Sequence, residues 1–309
     1  MPSRKRAAER PNSVPEEPCP PGTALRKWTE AHRRIRDKTS WKAIPIDHQI
    51  SAGRKAIQTC DLDGLRLTKL PEALRSCSDL EGLLLHGNDL HELPEWLGEL
   101  SGMRGLSLSG NPLISLPTQM ARLNQLEVLV LGGTRLQELP EWIGMLPNLT
   151  HLILGGLRLN GIPEFLCLTE SLEFLDLENN HIDTLPVWLK SLPHLRWLRL
   201  QRNSVLRLPD WFPELSKLEL LDLRNNRLQS LPPGLGNLRR LERLFLHGNP
   251  ALGLADEVLG PDIDGDSHAN PQDILRAYYA AQRAARPLSE VKMVLLGRGE
   301  AGEFAQVQV

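Results

Sequence analysis

Between Ile57 and Ala255 the apolar positions follow one ruler. Prolines stand at Pro71, Pro94, Pro117, Pro140, Pro163, Pro186, Pro209 and Pro232, always 23 residues apart. Nine residues before each is a leucine, from Leu62 to Leu223, and the column continues to Leu246. One unit reads LEGLLLHGNDLHELPEWLGELSG, Leu80 to Gly102. Its L-x-L core alternates apolar and variable residues, the period of a short strand with one face buried. The apolar pair after the proline, such as Leu97 and Leu100, predicts a returning segment that closes each unit against the same core.

Repetition at this period, with L-x-x-L-x-L-x-x-N-x-L inside it, resembles the leucine-rich repeat. The fold expected is α/β: a curved solenoid with a parallel inner β-sheet, nine strand positions and helical caps at both ends. No single repeat can bury its own strand, so neighbours must stack. Asn88, Asn111, Asn180, Asn203, Asn226 and Asn249 share one column and are expected to bond backbone in adjacent turns, where no strand ladder can. Thr134 and Leu157 interrupt that column, which predicts an altered backbone near residues 132–160. Trp96, Trp142, Trp188 and Trp211 share a column after the proline and read as packing or convex-surface residues. Residues 23–56 are expected to form a helical N-terminal cap. Residues 257–289 should supply a loop and a C-terminal capping helix that starts at Asn270 or Asp273, with Pro271 just inside and Pro287 as its stop.

Solenoids bind partners on their inner face, so the residues between the strand leucines are the candidates. Val128, Val130, His151, Ile153, Phe174, Trp197, Leu220 and Phe245 predict an apolar patch, with Asp176, Glu178, Arg199, Arg202, Asp222 and Arg224 as a charged rim. Aromatic anchors inside a charged rim are the pattern of a protein-binding hot spot. The alternative is that another part of the same molecule, such as its N-terminal leader, covers the patch. His86, His151 and His247 lie repeats apart, and Asp176, Arg199 and Asp222 read as cross-strand charge pairs rather than an acid–base set.

Composition narrows the reading. A net charge of −2 argues against a nucleic-acid partner held by a basic surface, and no apolar run is long enough for a membrane helix. Residues 1–22 carry Pro, Arg and Glu without an apolar core, so they read as a disordered leader and not a secretory signal. Cys19, Cys60, Cys77 and Cys167 form no CxxC pair, which fits a reducing, cytoplasmic setting. Asp262, Asp264 and Asp266 alternate as in a calcium loop, but Ser267 replaces the required glycine and Asp273 the closing glutamate. No metal is expected.

Near the C-terminus the strand-like Val291 to Leu296 leads into Gly297-Arg298-Gly299-Glu300-Ala301-Gly302. These are the glycines of a phosphate loop, yet Glu303 and Phe304 stand where lysine and a hydroxyl should be. Gly297, Gly299 and Gly302 are therefore expected to be a vestigial loop, with no cofactor in this chain. Repeats, linker helix and EVKMVLLGRGEAG, in that order, resemble the Roco proteins, in which such repeats precede a Ras-like Roc GTPase domain and a COR domain. That resemblance implies an interaction and regulatory domain that binds a protein, or its own GTPase–COR module, while GTP or GDP and magnesium belong to the parent. It also implies that residues 290–302 begin a Roc domain, that residues 303–309, opening on Glu303-Phe304, are a non-native tail, and that the chain alone is monomeric. A free-standing scaffold or bacterial effector is the other reading of the same repeats.

Overall fold

The computed structural model describes residues 59–261 and 269–284. They form two compact bodies. The first ends at Leu157 and includes Phe165–Asp176; the second takes Arg158–Glu164 and continues from Leu177. The expected N-terminal cap and leader, the aspartate-rich 262–268, the phosphate-loop remnant at Gly297, Gly299 and Gly302, and the tail lie outside the described residues.

In the first body, strands β1 (Thr59–Asp61), β2 (Gly82–Leu84), β3 (Gly105–Ser107), β4 (Val128–Val130), β5 (His151–Ile153) and β6 (Phe174–Asp176) pair in parallel in chain order. In the second, β7 (Trp197–Arg199), β8 (Leu220–Asp222) and β9 (Arg243–Phe245) do the same. Every pair is offset by one repeat, Leu83 opposite Leu106 and Leu198 opposite Leu221. Each strand is three residues long because the ladder continues through the bend as single bonds, Leu85 N–H to the Ser107 carbonyl (2.9 Å) and Leu200 N–H to the Asp222 carbonyl (2.8 Å).

The core is a stack of leucines. The central residue of every strand from Leu83 to Leu244 is buried, as is the leucine two positions on. Prolines end the extended segment and open tight turns: Pro94 is extended (φ −72°, ψ 146°) and precedes a 3-10 turn over Glu95–Glu99. Because proline at that position donates no hydrogen bond, it starts such a turn without leaving a donor unmet. Turns of neighbouring repeats approach so closely that a Cβ at Gly98 would overlap the Gln119 carbonyl, and one at Gly144 the Phe165 carbonyl. Glycine is there because backbone lies where a side chain would be.

The asparagine column is buried and bonds as expected. Asn111 accepts from Leu90 N–H (3.1 Å) and donates to the carbonyls of Leu85 (2.7 Å) and Leu108 (2.9 Å). Asn203 repeats this with Ile182, Leu177 and Leu200. Each amide satisfies three backbone groups that the bend strands inside the core. Where the amide is missing, the backbone changes. Leu157 and Leu65 both occupy the column, and the residue after each, Arg158 (φ 59°) and Arg66 (φ 56°), takes a left-handed conformation. Thr134 needs no such adjustment: its hydroxyl donates to the Leu131 carbonyl at 2.9 Å. The anomaly expected near residue 157 is present, and Leu65 adds a second that sequence reading passes over.

One further left-handed residue per repeat precedes the column: Gly64, Gly87, Gly110, Gly133, Gly156, Asn179, Arg202, Asn225 and Gly248. At the C-terminal end, α1 (Asp256–Leu259) and α2 (Pro271–Ala284) close the second body. The Asn270 side chain caps α2 by accepting from Gln272 N–H (2.8 Å). Ile274, Leu275 and Tyr278 are buried; the Tyr278 hydroxyl accepts from Leu231 N–H (3.0 Å), and the Tyr279 hydroxyl donates to the Pro232 carbonyl (2.6 Å). The capping helix begins at the residues the sequence marks.

Candidate binding faces

The residues alternating with the strand leucines form one face in each body. In the first body that face changes along the chain. Its early strands are polar: Asp61 and Asp63, then His86, Ser107 and Ser109. Asp63 accepts the His86 backbone N–H (2.6 Å), and the His86 ring Nδ1 lies 2.8 Å from the Ser109 hydroxyl. Sequence reading misses this contact, although the three residues stand 23 apart in one column. It has the parts of a serine–histidine pair, but the nearby Gly87 and Gly110 N–H groups are already bonded to the Ser109 and Gly132 carbonyls. Those two N–H groups are therefore not open to an oxyanion.

The later strands are apolar. Val128, His151 and Ile153 are half-buried, Val130 and Phe174 buried, and the rings of His151 and Phe174 lie tilted with centroids 5.6 Å apart. Burial, opposed only by the Glu127 carboxylate, pushes His151 down to about 4, so it is neutral at neutral pH. Thr150 Oγ1 lies 2.9 Å from its Nδ1. Gly132 and Gly155 flank this stretch without side chains.

In the second body the face is built from aromatics beneath arginines. The Arg196 guanidinium lies 4.7 Å from the Trp197 ring centroid and forms a two-pronged bond with Glu219 (2.8 Å each). The Arg224 guanidinium lies 4.8 Å from the Phe245 ring and is paired with Asp222. Glu178 accepts from Gln201 Nε2 (2.8 Å) and lies 3.5 Å from Arg202.

Three expectations are corrected here. The outward columns predict that Phe174, Trp197 and Leu220 face water, but they are 5, 4 and 6% exposed. Strands about 4.8 Å apart let each outward side chain be walled by its neighbours, and the Arg196 stem and guanidinium cover Trp197. The rim is also less open than expected: Asp176 and Asp222 are buried, Glu178, Arg199 and Arg224 half-buried, and Arg202 alone is exposed. Asp222, expected to pair across strands, pairs with Arg224 two residues along its own repeat. Trp96 and Trp142 are buried and Trp188 and Trp211 half-buried, in line with packing residues.

Among the described residues no three His, Cys, Asp or Glu side chains gather as metal ligands, and no helix is long and apolar enough to cross a membrane. Burial first, then the neighbouring Cys77 thiol and Asp61 carboxylate, push the Cys60 thiol up to about 12, so it stays protonated.

Comparison with known proteins agrees with this architecture. The leucine rich repeat family model matches residues 147–205 and 208–250. A leucine-rich repeat protein of Leptospira interrogans is 37% identical, with a TM-score of 0.59; the match covers 62% of this chain and 48% of that one. This chain therefore spans about half the length of that relative. The functional domain of InlJ from Listeria monocytogenes, 20% identical over 66% of this chain and 41% of that one, has a TM-score of 0.53 and shares the fold. A search of curated protein sequences finds no match. Fold, repeat length and these likenesses agree on a leucine-rich repeat solenoid as the fold of the described residues.

Proposed function

We propose that this chain is a protein-binding, regulatory repeat domain of a Roco-type GTPase, engaging a protein or the GTPase–COR module of its own parent. The observation that carries the interaction reading is the division of labour along each strand. Buried leucines repeat almost without change, while the outward positions run from polar through apolar to arginine-rich. A solenoid needs only the first set to fold, so the second is available for recognition. The Roco part rests on the resemblance carried by GRGEAG after the capping helix. A second reading, a free-standing recognition protein, is supported by the 37% identity to a bacterial repeat protein.

The test is a pull-down from the organism's own lysate with the chain immobilised. Wild type is compared with Val128→Glu/Ile153→Glu in the first body and Arg199→Glu/Arg202→Glu in the second. These half-buried or exposed positions replace Phe174, Trp197 and Leu220, where a buried charge would unfold the chain. A prey lost with either variant supports face-mediated binding, and a GTPase–COR protein as that prey supports the Roco reading. Any other prey favours the free-standing reading. Identical prey from all three baits overturns both.

A further inference from the structure

The 3-10 turns that follow the prolines end in a column of exposed residues, 23 apart: Ser76, Glu99, Arg122, Met145, Leu168, Ser191, Glu214 and Asn237. All but two are polar. Two of the polar ones tie neighbouring turns together, Glu99 accepting from Arg75 (2.9 Å) and Glu214 from Lys190 (3.1 Å). Met145 and Leu168, in consecutive repeats of the first body, can do neither, and they stand 68% and 54% exposed.

The two apolar ends form one patch. Residues three apart in a 3-10 turn lie one above the other, so Met145 shares a face with Trp142, and Leu168 with Phe165. The two turns touch: a Cβ at Gly144 would overlap the Phe165 carbonyl, and the Ser171 hydroxyl donates to the Pro147 carbonyl (2.7 Å). Exposed apolar side chains gathered on adjoining turns mark a surface that meets something other than water.

The charges beside the patch indicate what it meets. Arg122 sits in the turn before Met145, linked to it by the Asn148 side chain, which donates to the Asn124 carbonyl (2.7 Å). Arg122 is exposed, and its guanidinium has no partner among the described residues: the position from which Arg75 serves Glu99 is here Gly98. Glu170, two residues after Leu168, is exposed and its carboxylate likewise has no partner among the described residues. The row therefore runs basic, apolar, apolar, acidic. Such a row is complementary to itself reversed. A twofold axis between Met145 and Leu168 sets each Met145 against the other copy's Leu168, and each Arg122 towards the other copy's Glu170.

We propose that this edge is a self-association site and that its occupant is a second copy of this chain. The site lies on the turns and leaves the outward strand residues open, so it goes beyond the reading above. It also departs from the monomer that the Roco resemblance implies. The contact is small, and a dissociation constant on the order of 100 μM follows from its size.

Sedimentation equilibrium of the whole chain, over about a hundredfold range of concentration around that value, tests the proposal. The mass is expected to rise from monomer towards dimer. Met145→Glu/Leu168→Glu, at exposed positions that leave the melting temperature of the dilute chain unchanged, should remain monomeric throughout. Arg122→Glu and Glu170→Arg should each weaken association roughly tenfold, because each places like charges together twice across the axis. The double variant Arg122→Glu/Glu170→Arg should restore it, a rescue that a merely structural role for either residue would not give. A monomer at every concentration would overturn the proposal, as would a dimer that Met145→Glu/Leu168→Glu leaves intact. Failure of the charge reversal to restore association would overturn the twofold pairing. None of these results bears on the pull-down, whose variants lie on the strands.

Discussion

The face of β4–β6 and the face of β7–β9 share a backbone and almost nothing else. In the first body, Val128, Val130, His151, Ile153 and Phe174 form an apolar surface with no arginine or lysine among them, and the buried Asp176 at the end of β6 is the carboxylate beside them. In the second, Trp197, Leu220 and Phe245 are as deeply buried as Phe174, but guanidinium groups lie over two of them. The leucines and asparagines beneath do the same work in both bodies: Asn111 and Asn203 make the same three kinds of bond. The repeat thus separates stability from recognition, and a change at an outward position alters chemistry while the framework stays constant.

That separation can be attacked at its strongest point first. Asn111→Leu in the first body and Asn203→Leu in the second each strand three buried backbone groups, and each is expected to cost about 3 kcal/mol or more. Leu157 shows how such a loss is tolerated, since Arg158 after it becomes left-handed. Ser204 can follow that example, but Pro112, fixed at negative φ by its ring, cannot. Denaturant unfolding should therefore show the larger loss for Asn111→Leu. Adding Ser204→Gly should recover part of the Asn203→Leu loss by easing the adjustment. Equal losses, with no recovery, would mean that the left-handed turn is not what relieves a missing amide.

His151 distinguishes the first face by pH. Its folded value lies below the unfolded one, so the unfolded chain takes up a proton first on acidification. The stabilisation is present above pH 6.5 and is lost as pH falls towards 4, by at most about 3 kcal/mol. Stability measured across that window should fall with pH, and His151→Phe should flatten part of the slope. An unchanged slope would show that His151 titrates normally.

Arg196→Ala tests the roof of the second face. It removes the two-pronged bond to Glu219 and the cover over Trp197, at a cost of about 1 kcal/mol. Tryptophan emission should shift to the red as Trp197 meets water; an unmoved spectrum would mean that other neighbours cover the ring. The smallest effect has the opposite sign: Arg202→Gly should stabilise by up to about 1 kcal/mol.

The framework is readable in the sequence because it depends on identity at fixed spacing. Proline, leucine and asparagine each have one physical job per repeat, so strand positions, the amide ladder and the Asn270 cap all follow from counting. The faces are legible as positions only. Phe174, Trp197 and Leu220 stand in outward columns, yet their burial depends on which neighbouring stem leans over them. A column of residues does not record that Arg196 stacks on Trp197 or that Asp222 turns to Arg224. The left-handed Arg202 is visible as the odd residue in a glycine and asparagine column, but the conformation of that column has to be seen before the oddity carries meaning.

The central claim is that partners meet this domain on the outward strand faces. Hydrogen–deuterium exchange of the chain, alone and with its captured protein partner, tests it most directly. The account predicts added protection within Val128–Ile153 or within Trp197–Gly248, at the strands and the left-handed residues that follow them. Protection confined to the turns after the prolines, around the exposed Met145, Leu168 or Val187, would contradict it.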